Sequence, residues 1–487
     1  MRSGLSIVAG VGLAITLVTS ANAQDANAER IARIERGSLP AVQVEGRDYQ
    51  PASLADLMRD QNIPGFSIVV VDGGRIVWAK AYGLADVASG RAATVDTLFQ
   101  AASISKPVAA TAVLDLVEEG RLTLDSDVNA TLKSWTVPVN DLTRASPVTL
   151  RQLLTHTAGL TVHGFEGYAA GDALPTVPQI LNGDASANNA AVVVDRPPGT
   201  GWRYSGGGFT VAQLMMTDAT GEDFPTIMRD RVLGPAGMDH SSYDQPLPSQ
   251  WRAGAATAYD AEGRPVTGLY RSYPEMAAAG LWTTPTDLAR WSIAVSDAWA
   301  GRSDVILDQA TARAMLTPGR GNWGLGLEVA GEGPSLRFSH GGGNEGFRAT
   351  VIGFPERGQG LALMINSDNG DAVVDAVIRA VAAEYGWPGY DAVIITPVAM
   401  DAPVIEEIAG DYVYGTFRLT LAVSPDRQSL LQMTQSGRRN ELIPQGGDAF
   451  REIGEGETVS FERDAEGRVA AMLSGGVRFE RVVLSAE

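Results

Sequence analysis

The sequence predicts an α+β protein: an antiparallel sheet flanked by helices, interrupted by a mostly helical insertion and followed by a small C-terminal all-β domain. Three observations carry this. A hairpin pattern stands near residue 70, strand patterns return only after Trp323, and beyond Pro388 short alternating runs take over. Strands at both ends of a segment, with helices and loops between them, assemble into one sheet from both ends.

Taken in order, Arg2 precedes an apolar stretch from Leu5 to Val18, and Ala21-Asn22-Ala23 offers the small residues a signal peptidase accepts. Residues 1–23 are expected to be an export signal, because the stretch falls short of the ~20 apolar residues that span a bilayer. A domain over 45–388 follows. It opens with two apolar runs, Phe66–Val71 and Ile76–Ala79, joined by Asp72-Gly73-Gly74, which is a hairpin signal. Lys106 to Glu119 carries an apolar stripe of Val108, Ala112 and Leu116 and ends at Gly120, as a helix does. From Val128 to Arg290, helical patches such as 149–156 and 209–220 alternate with Gly/Pro-rich loops of the kind that line clefts. Strand patterns resume at 324–329, 337–340, 349–354 and 361–366, and a helix over 372–385 stops at Gly386. Residues 389–403 read as a linker. Over 404–487 runs at 412–421, 429–434, 439–443, 458–462, 468–473 and 477–484, separated by turn residues, predict a small barrel or sandwich.

Composition narrows the function. The chain has 487 residues, 45% of them hydrophobic, enough for two or three domains with a large core. A formal net charge of -19 speaks against gripping a polyanion, so nucleic acid is not expected as a partner. Absence of cysteine removes thiolate nucleophiles, disulfides and zinc-thiolate sites together. The four histidines, His156, His163, His240 and His340, form no metal-binding spacing, and neither metal nor organic cofactor is expected.

Serine is left as the nucleophile. Ser103-Ile104-Ser105-Lys106 sets a hydroxyl and an amine three residues apart at a helix start, where positions i and i+3 share a face. A serine needs a base, and lysine serves only when its pKa falls from ~10.4 toward ~7–8. The chain holds three lysines, Lys80, Lys106 and Lys133, and uses arginine elsewhere. A lysine retained beside Ser103 fits a group that must lose its proton, which guanidinium does not do. Tyr204 lies in a Gly-rich loop, Pro198 to Gly208, before the helix at Phe209; taken alone an aromatic there reads first as packing, but a phenol whose pKa nearby cations lower could shuttle a proton. Phe338-Ser339-His340-Gly341-Gly342-Gly343-Asn344 ends a strand whose glycines allow close approach of a substrate backbone and free an N–H for an oxyanion hole. His340 is expected to give a polar or cationic contact. His156 and His163 could line the cleft but are assigned structural roles, and Lys80 and Lys133 surface positions.

In this order, Ser103-x-x-Lys106, Tyr204-Ser205-Gly206 and His340-Gly341-Gly342 resemble the S-x-x-K, Y-x-N and K/H-x-G motifs of the serine β-lactamase-like superfamily, in its class C-related branch of esterases, D-aminopeptidases and DD-peptidases. The phrases Leu153 to Leu160 and Gly280 to Leu288 support the resemblance, which covers roughly residues 50 to 385. It implies a β-lactamase/transpeptidase-like fold, Ser103 as acylated nucleophile, Lys106 as base, Tyr204 as proton relay, His340 in the third motif, and an oxyanion hole from the amides of Ser103 and Gly343. Gly342, Gly206 and Asn344 are expected at the substrate.

Two departures stand out. Gly206 replaces the asparagine that grips a β-lactam's acylamino group, and His340 replaces lysine, which would make the charge of the site vary with pH around 6–7. The expectation is therefore a periplasmic or secreted serine hydrolase acting on small-molecule or peptide substrates, an esterase or peptidase/amidase ahead of a β-lactamase or DD-peptidase. A non-catalytic penicillin-binding sensor is the rival from another class. Ser367-Asp368-Asn369 imitates a further β-lactamase motif but reads as a turn, and no Gly-x-Ser-x-Gly elbow exists.

Overall fold

The structure, a computed structural model, describes residues 26–37, 39–415, 417–434, 439–453 and 456–482. The expected export signal lies outside the described residues. Its contacts divide the chain into two units: residues 57–374, and the two terminal segments 1–56 and 375–487 together. Strand β1 (Val42–Val44) belongs to the second.

In the first unit, β2 (Gly65–Asp72) and β3 (Arg75–Asp86) form the hairpin. Its two turn residues, Gly73 and Gly74, take φ of +60° and +72°, the left-handed region a tight two-residue turn demands and glycine enters freely. Short strands β4 (Arg91–Ala92) and β5 (Phe99–Gln100) follow, then a helical insertion, and β6 (Trp282–Thr283) pairs back onto β5. β7 (Glu328–Ala330), β8 (Arg337–Asn344), β9 (Phe347–Phe354) and β10 (Gln359–Ile365) complete an antiparallel seven-stranded sheet in the order β4-β3-β2-β10-β9-β8-β7. The central pair β2/β10 joins strands from opposite ends of the unit, as the return of strand patterning after Trp323 implied.

The Pro285–Ala300 helix packs against β2, β9 and β10. Thr284 caps it by accepting from the Asp287 N–H, Pro285 occupies its first turn, and Gly301 ends it at φ +71°. The Ser105–Glu118 helix runs through the core. Val108, Ala109, Ala112, Val113 and Leu116 are all buried, and small side chains let neighbouring elements approach it from several sides.

Several elements differ from expectation. The strand expected at 324–329 is confined to β7, because Leu325 and Gly326 spend their N–H groups on Met315 and Leu154 carbonyls instead of a ladder. The helix expected from Phe209 begins at Gly206, so the three glycines are its first turn and not loop. Glycine disfavours helix interiors, but Ser205 offsets this by accepting from the Gly208 N–H at 3.1 Å.

In the second unit, the stretch read as a linker holds β11 (Val393–Ile395), which pairs in parallel with β1. A helix, Ala402–Ile408, precedes a closed barrel of β12 (Gly410–Tyr414), β13 (Phe417–Val423), β14 (Leu430–Thr434), β15 (Arg439–Gly446), β16 (Ala449–Glu452), β17 (Thr458–Arg463), β18 (Val469–Ser474) and β19 (Val477–Arg481). The single run expected over 412–421 is two strands reversed at Gly415, φ +58°. Alternate residues, Leu419 and Leu421 on β13 and Val459 and Phe461 on β17, fill the barrel interior with Phe450 and Met472.

Candidate active site

Ser103 stands in a 3₁₀ turn, Ala102–Ile104, that feeds the Ser105–Glu118 helix. Ala102 holds φ +49°, a left-handed conformation costly for alanine. Neighbours hold it there. The Ser105 hydroxyl donates to the Ala102 carbonyl at 2.5 Å and accepts from the Leu281 N–H at 2.9 Å, and the Tyr243 hydroxyl donates to the Ser105 carbonyl at 2.8 Å. Ser103 keeps a half-buried side chain between buried neighbours.

Lys106 is 2% exposed, and its Nζ lies 3.0 Å from Ser103 Oγ. A second bond goes to the Ala278 carbonyl at 2.8 Å, and the ammonium sits 4.8 Å from the Tyr204 ring centre. Desolvation lowers its pKa to about 7, the range in which an amine can take up a proton near neutrality. Carbonyl and ring both prefer the cation, so burial outweighs them.

Tyr204 hydrogen-bonds Ser103 through its hydroxyl, but its pKa is raised by burial and not lowered by cations. The phenol is therefore neutral, not a phenolate. His340 also departs from expectation. It is 5% exposed, its Nδ1 lies 2.5 Å from the Gly341 carbonyl, and burial first, then the Lys106 charge, push its pKa down to about 3. It is a neutral imidazole and does not switch charge around pH 6–7.

The glycines of β8 divide their work. A two-residue turn joins Asn344 to Phe347, so the register pairs Gly342 with Ala349 through hydrogen bonds and leaves Gly343, opposite Arg348, with its N–H pointing away from β9. The register therefore does not spend the Gly343 amide on β9. Gly342 spends its amide in the sheet, and a Cβ there would lie 2.2 Å from the Ala101 carbonyl oxygen. The absence of a side chain at Gly342 lets β8 approach the serine turn closely. Asn344 is buried and donates Nδ2 to Gln100 Oε1 at 2.8 Å and to the Ala279 carbonyl at 3.2 Å, which makes it a strut. Gly206 is buried too. Its N–H donates to the His163 carbonyl at 2.9 Å, and a Cβ would meet that oxygen at 3.0 Å and Phe165 at 3.1 Å, so the 163–165 loop occupies the side on which an asparagine would stand.

Sequence reasoning gave His156 a merely structural place. Its ring is 4.2 Å from Tyr204, 5.0 Å from Trp323 and 5.5 Å from Phe209, and its Nδ1 accepts from the Ser205 N–H at 3.1 Å. Burial and the Lys106 charge hold it neutral, well below the usual histidine range. His163 is exposed with its ring 4.8 Å from Tyr204. Ala278 and Trp323 were missed altogether, since a backbone carbonyl leaves no residue signature and a tryptophan reads first as packing. Glu275 was missed as well. It opens the Met276–Ala279 helix that presents Ala278, is fully buried with no partner for either carboxylate oxygen among the described residues, and is raised to about 7 by desolvation. Asp368 of the imitation motif accepts from Gly346 N–H and Arg348, and Asn369 donates to the Gln61 and Ala261 carbonyls, so that segment fixes a turn. Among the described residues no cluster of His, Asp or Glu could hold a metal, and no helix is long and apolar enough to cross a membrane.

The sequence profile of the family described as Beta-lactamase matches residues 52–384. Esterase EstB of Burkholderia gladioli is 30% identical over 240 residues, 47% of this chain and 59% of that protein, so the chain spans about three fifths of its length. The putative penicillin-binding protein PbpX of Bacillus subtilis (strain 168) is 27% identical over 323 residues, 64% of this chain and 73% of that one. Among solved structures, SurE with D-Leu superposes with a TM-score of 0.54 at 25% identity, covering 88% of this chain and 97% of that one. The octameric penicillin-binding protein homologue from Pyrococcus abyssi superposes at 0.60 and 22% identity, covering 88% and 98%.

Proposed function

The chain belongs to the beta-lactamase family, and from that premise we propose that it is an exported serine hydrolase that opens ester or amide bonds through an acyl-enzyme on Ser103. The observation that carries this is the 3.0 Å contact between Ser103 Oγ and a buried Lys106 whose pKa has fallen to about 7. Neutral Lys106 takes the Ser103 proton as Oγ attacks the carbonyl carbon. The developing oxyanion faces the N–H groups of Ser103 and Gly343. Tyr204, a neutral phenol bonded to Ser103, hands a proton to the leaving group and regains one from Lys106. Water then attacks the acyl-serine by the reverse proton path.

Esters and amides of small or D-amino-acid-containing acids rank ahead of β-lactams as substrates. The likeness to an esterase and to a SurE structure holding D-leucine supports this. So does Gly206, which offers no side-chain amide to a β-lactam's acylamino group and is closed over by the 163–165 loop. Periplasmic or secreted localisation rests on Arg2, the Leu5–Val18 stretch and Ala21-Asn22-Ala23.

The test is fluorophosphonate labelling and p-nitrophenyl ester hydrolysis by the full chain beside Ser103→Ala and Lys106→Ala. Label is expected on Ser103, with esterolysis reduced at least ~10³-fold in both variants. Undiminished esterolysis in either variant rejects the assignment. Labelling without turnover of any ester, D-aminoacyl amide, D-Ala-D-Ala peptide or nitrocefin would favour a penicillin-binding sensor.

A further inference from the structure

Three buried nitrogens beside Tyr204 have no hydrogen-bond partner among the described residues: His156 Nε2, Trp323 Nε1 and His340 Nε2. They belong to one cluster. The Trp323 ring centre is 5.0 Å from that of His156 and 5.4 Å from that of His340, and Tyr204 lies within 6.2 Å of all three. Buried polar atoms left unbonded are rare and costly, so three around one residue call for a common partner.

Their chemistry says what it is. His156 Nδ1 accepts from the Ser205 N–H, so the proton of its neutral ring is on Nε2, a donor. His340 Nδ1 faces the Gly341 carbonyl and must donate, so its Nε2 is a bare acceptor. Trp323 Nε1–H only donates. Two donors and one acceptor match a water oxygen's two lone pairs and one of its O–H groups.

We infer that His156, Trp323 and His340 together hold one buried water molecule beside Tyr204, and that His156 and Trp323 act through it as positioning residues for the phenol. The water fixes the plane of the His156 ring, which lies 4.2 Å from the Tyr204 ring, and the same phenol ring faces Lys106 Nζ at 4.8 Å. A ring held in this way keeps the hydroxyl on Ser103. This functional half rests on the serine-hydrolase reading above, whereas the water site itself does not.

A crystal structure of the full chain decides the site. One ordered water within about 3.2 Å of all three nitrogens is expected, in the wild type and in Ser103→Ala alike. Dry packing of the three nitrogens, or a water that reaches only one, overturns it. Kinetics decide the positioning role. Trp323→Phe keeps the aromatic shape and removes one donor, and should lower kcat on p-nitrophenyl acetate ten- to a hundredfold with KM little changed. His156→Gln, which keeps an N–H, should retain more of kcat than His156→Leu. Wild-type kcat in Trp323→Phe or His156→Leu would overturn the positioning role while leaving the hydrolase intact. Full esterolysis by Ser103→Ala would instead overturn the hydrolase reading, with the crystal density still judging the water. If one variant fails to fold, the wild-type density decides the water and the other variant decides the positioning role.

Discussion

Burial, more than charge pairing, sets the proton on each ionisable group around Ser103. Lys106 falls to about 7, His340 to about 3, and His156 well below its usual range, while Tyr204 rises. Of these four groups, Lys106 is the one brought to about 7. In the proposed mechanism its neutral form is the base, so the acylation rate should climb about tenfold per pH unit below 7 and level off above it, with no second inflection from His340 or from the phenol. Stopped-flow acylation by a p-nitrophenyl ester from pH 5 to 9 measures this, and a bell with a falling limb below pH 9 would contradict it. The S-x-x-K spacing made Ser103 and Lys106 legible in sequence because one helical turn fixes their contact. The charge states of Tyr204 and His340 were not legible, because they depend on how much protein surrounds them.

Glu275 carries the same physics with the opposite sign for stability. Its carboxyl is raised from 4.5 to about 7 by desolvation, with Tyr168 and Tyr273 among its electrostatic neighbours. A folded-state pKa above the unfolded value means the native state holds the extra proton between those pH values. Stability therefore falls as pH rises from 4.5 to 7, and the loss is complete above 7. Glu275→Gln removes the ionisation, so it should stabilise the protein by on the order of 3 kcal/mol at pH 8 and change little at pH 4. Urea unfolding at the two pH values checks this; the same increment at both would show that charge burial is not the cause.

Single elements show how identical residues acquire different duties. Gly341, Gly342 and Gly343 look alike in sequence, and the strand's period of two separates them. A Cβ at Gly342 would lie 2.2 Å from the Ala101 backbone oxygen, whereas at Gly341 its nearest neighbour is 4.0 Å away. Gly342→Ala should therefore push β8 off the Ala101–Ala102 turn, cost ~1–3 kcal/mol of stability and cut esterolysis sharply, while Gly341→Ala stays close to wild type. Thermal unfolding and kcat/KM of the pair test this, and equal behaviour of the two variants would refute it. Strand and helix existence was readable here from periodicity, as in β2, β3, β9 and the 105–118 helix. The start of the 206–220 helix was not, since Gly206-Gly207-Gly208 reads as loop until the Ser205 cap is seen. β16 escaped for a related reason: four residues are too few to display a period.

At the scale of the whole molecule, sequence order is a poor guide to which segments fold together. Hydrophobic patterning announced a β-rich C-terminus, and the barrel is there, closed through β12 and β19 so that its strands share no open edge. Nothing local could announce that β1 pairs with β11, because parallel partners 351 residues apart (Val42 with Val393) leave no turn between them to read. The pairing matters because Val42, at 1% exposed, and Val44 form an apolar cluster with Ile395 and Ile443 of β15, tying the N-terminal segment to the barrel within one unit. Val42→Asp would place an unpaired carboxylate in that cluster, at a cost of several kcal/mol. The expected result is a lower thermal midpoint and earlier proteolytic cleavage between β11 and the barrel, with fluorophosphonate labelling of Ser103 preserved at 25 °C, since the labelled serine and its neighbours lie in the other unit. An unchanged midpoint would mean that β1 contributes nothing to the terminal unit. Loss of labelling at 25 °C would mean that the 57–374 unit does not hold its serine site without an intact β1.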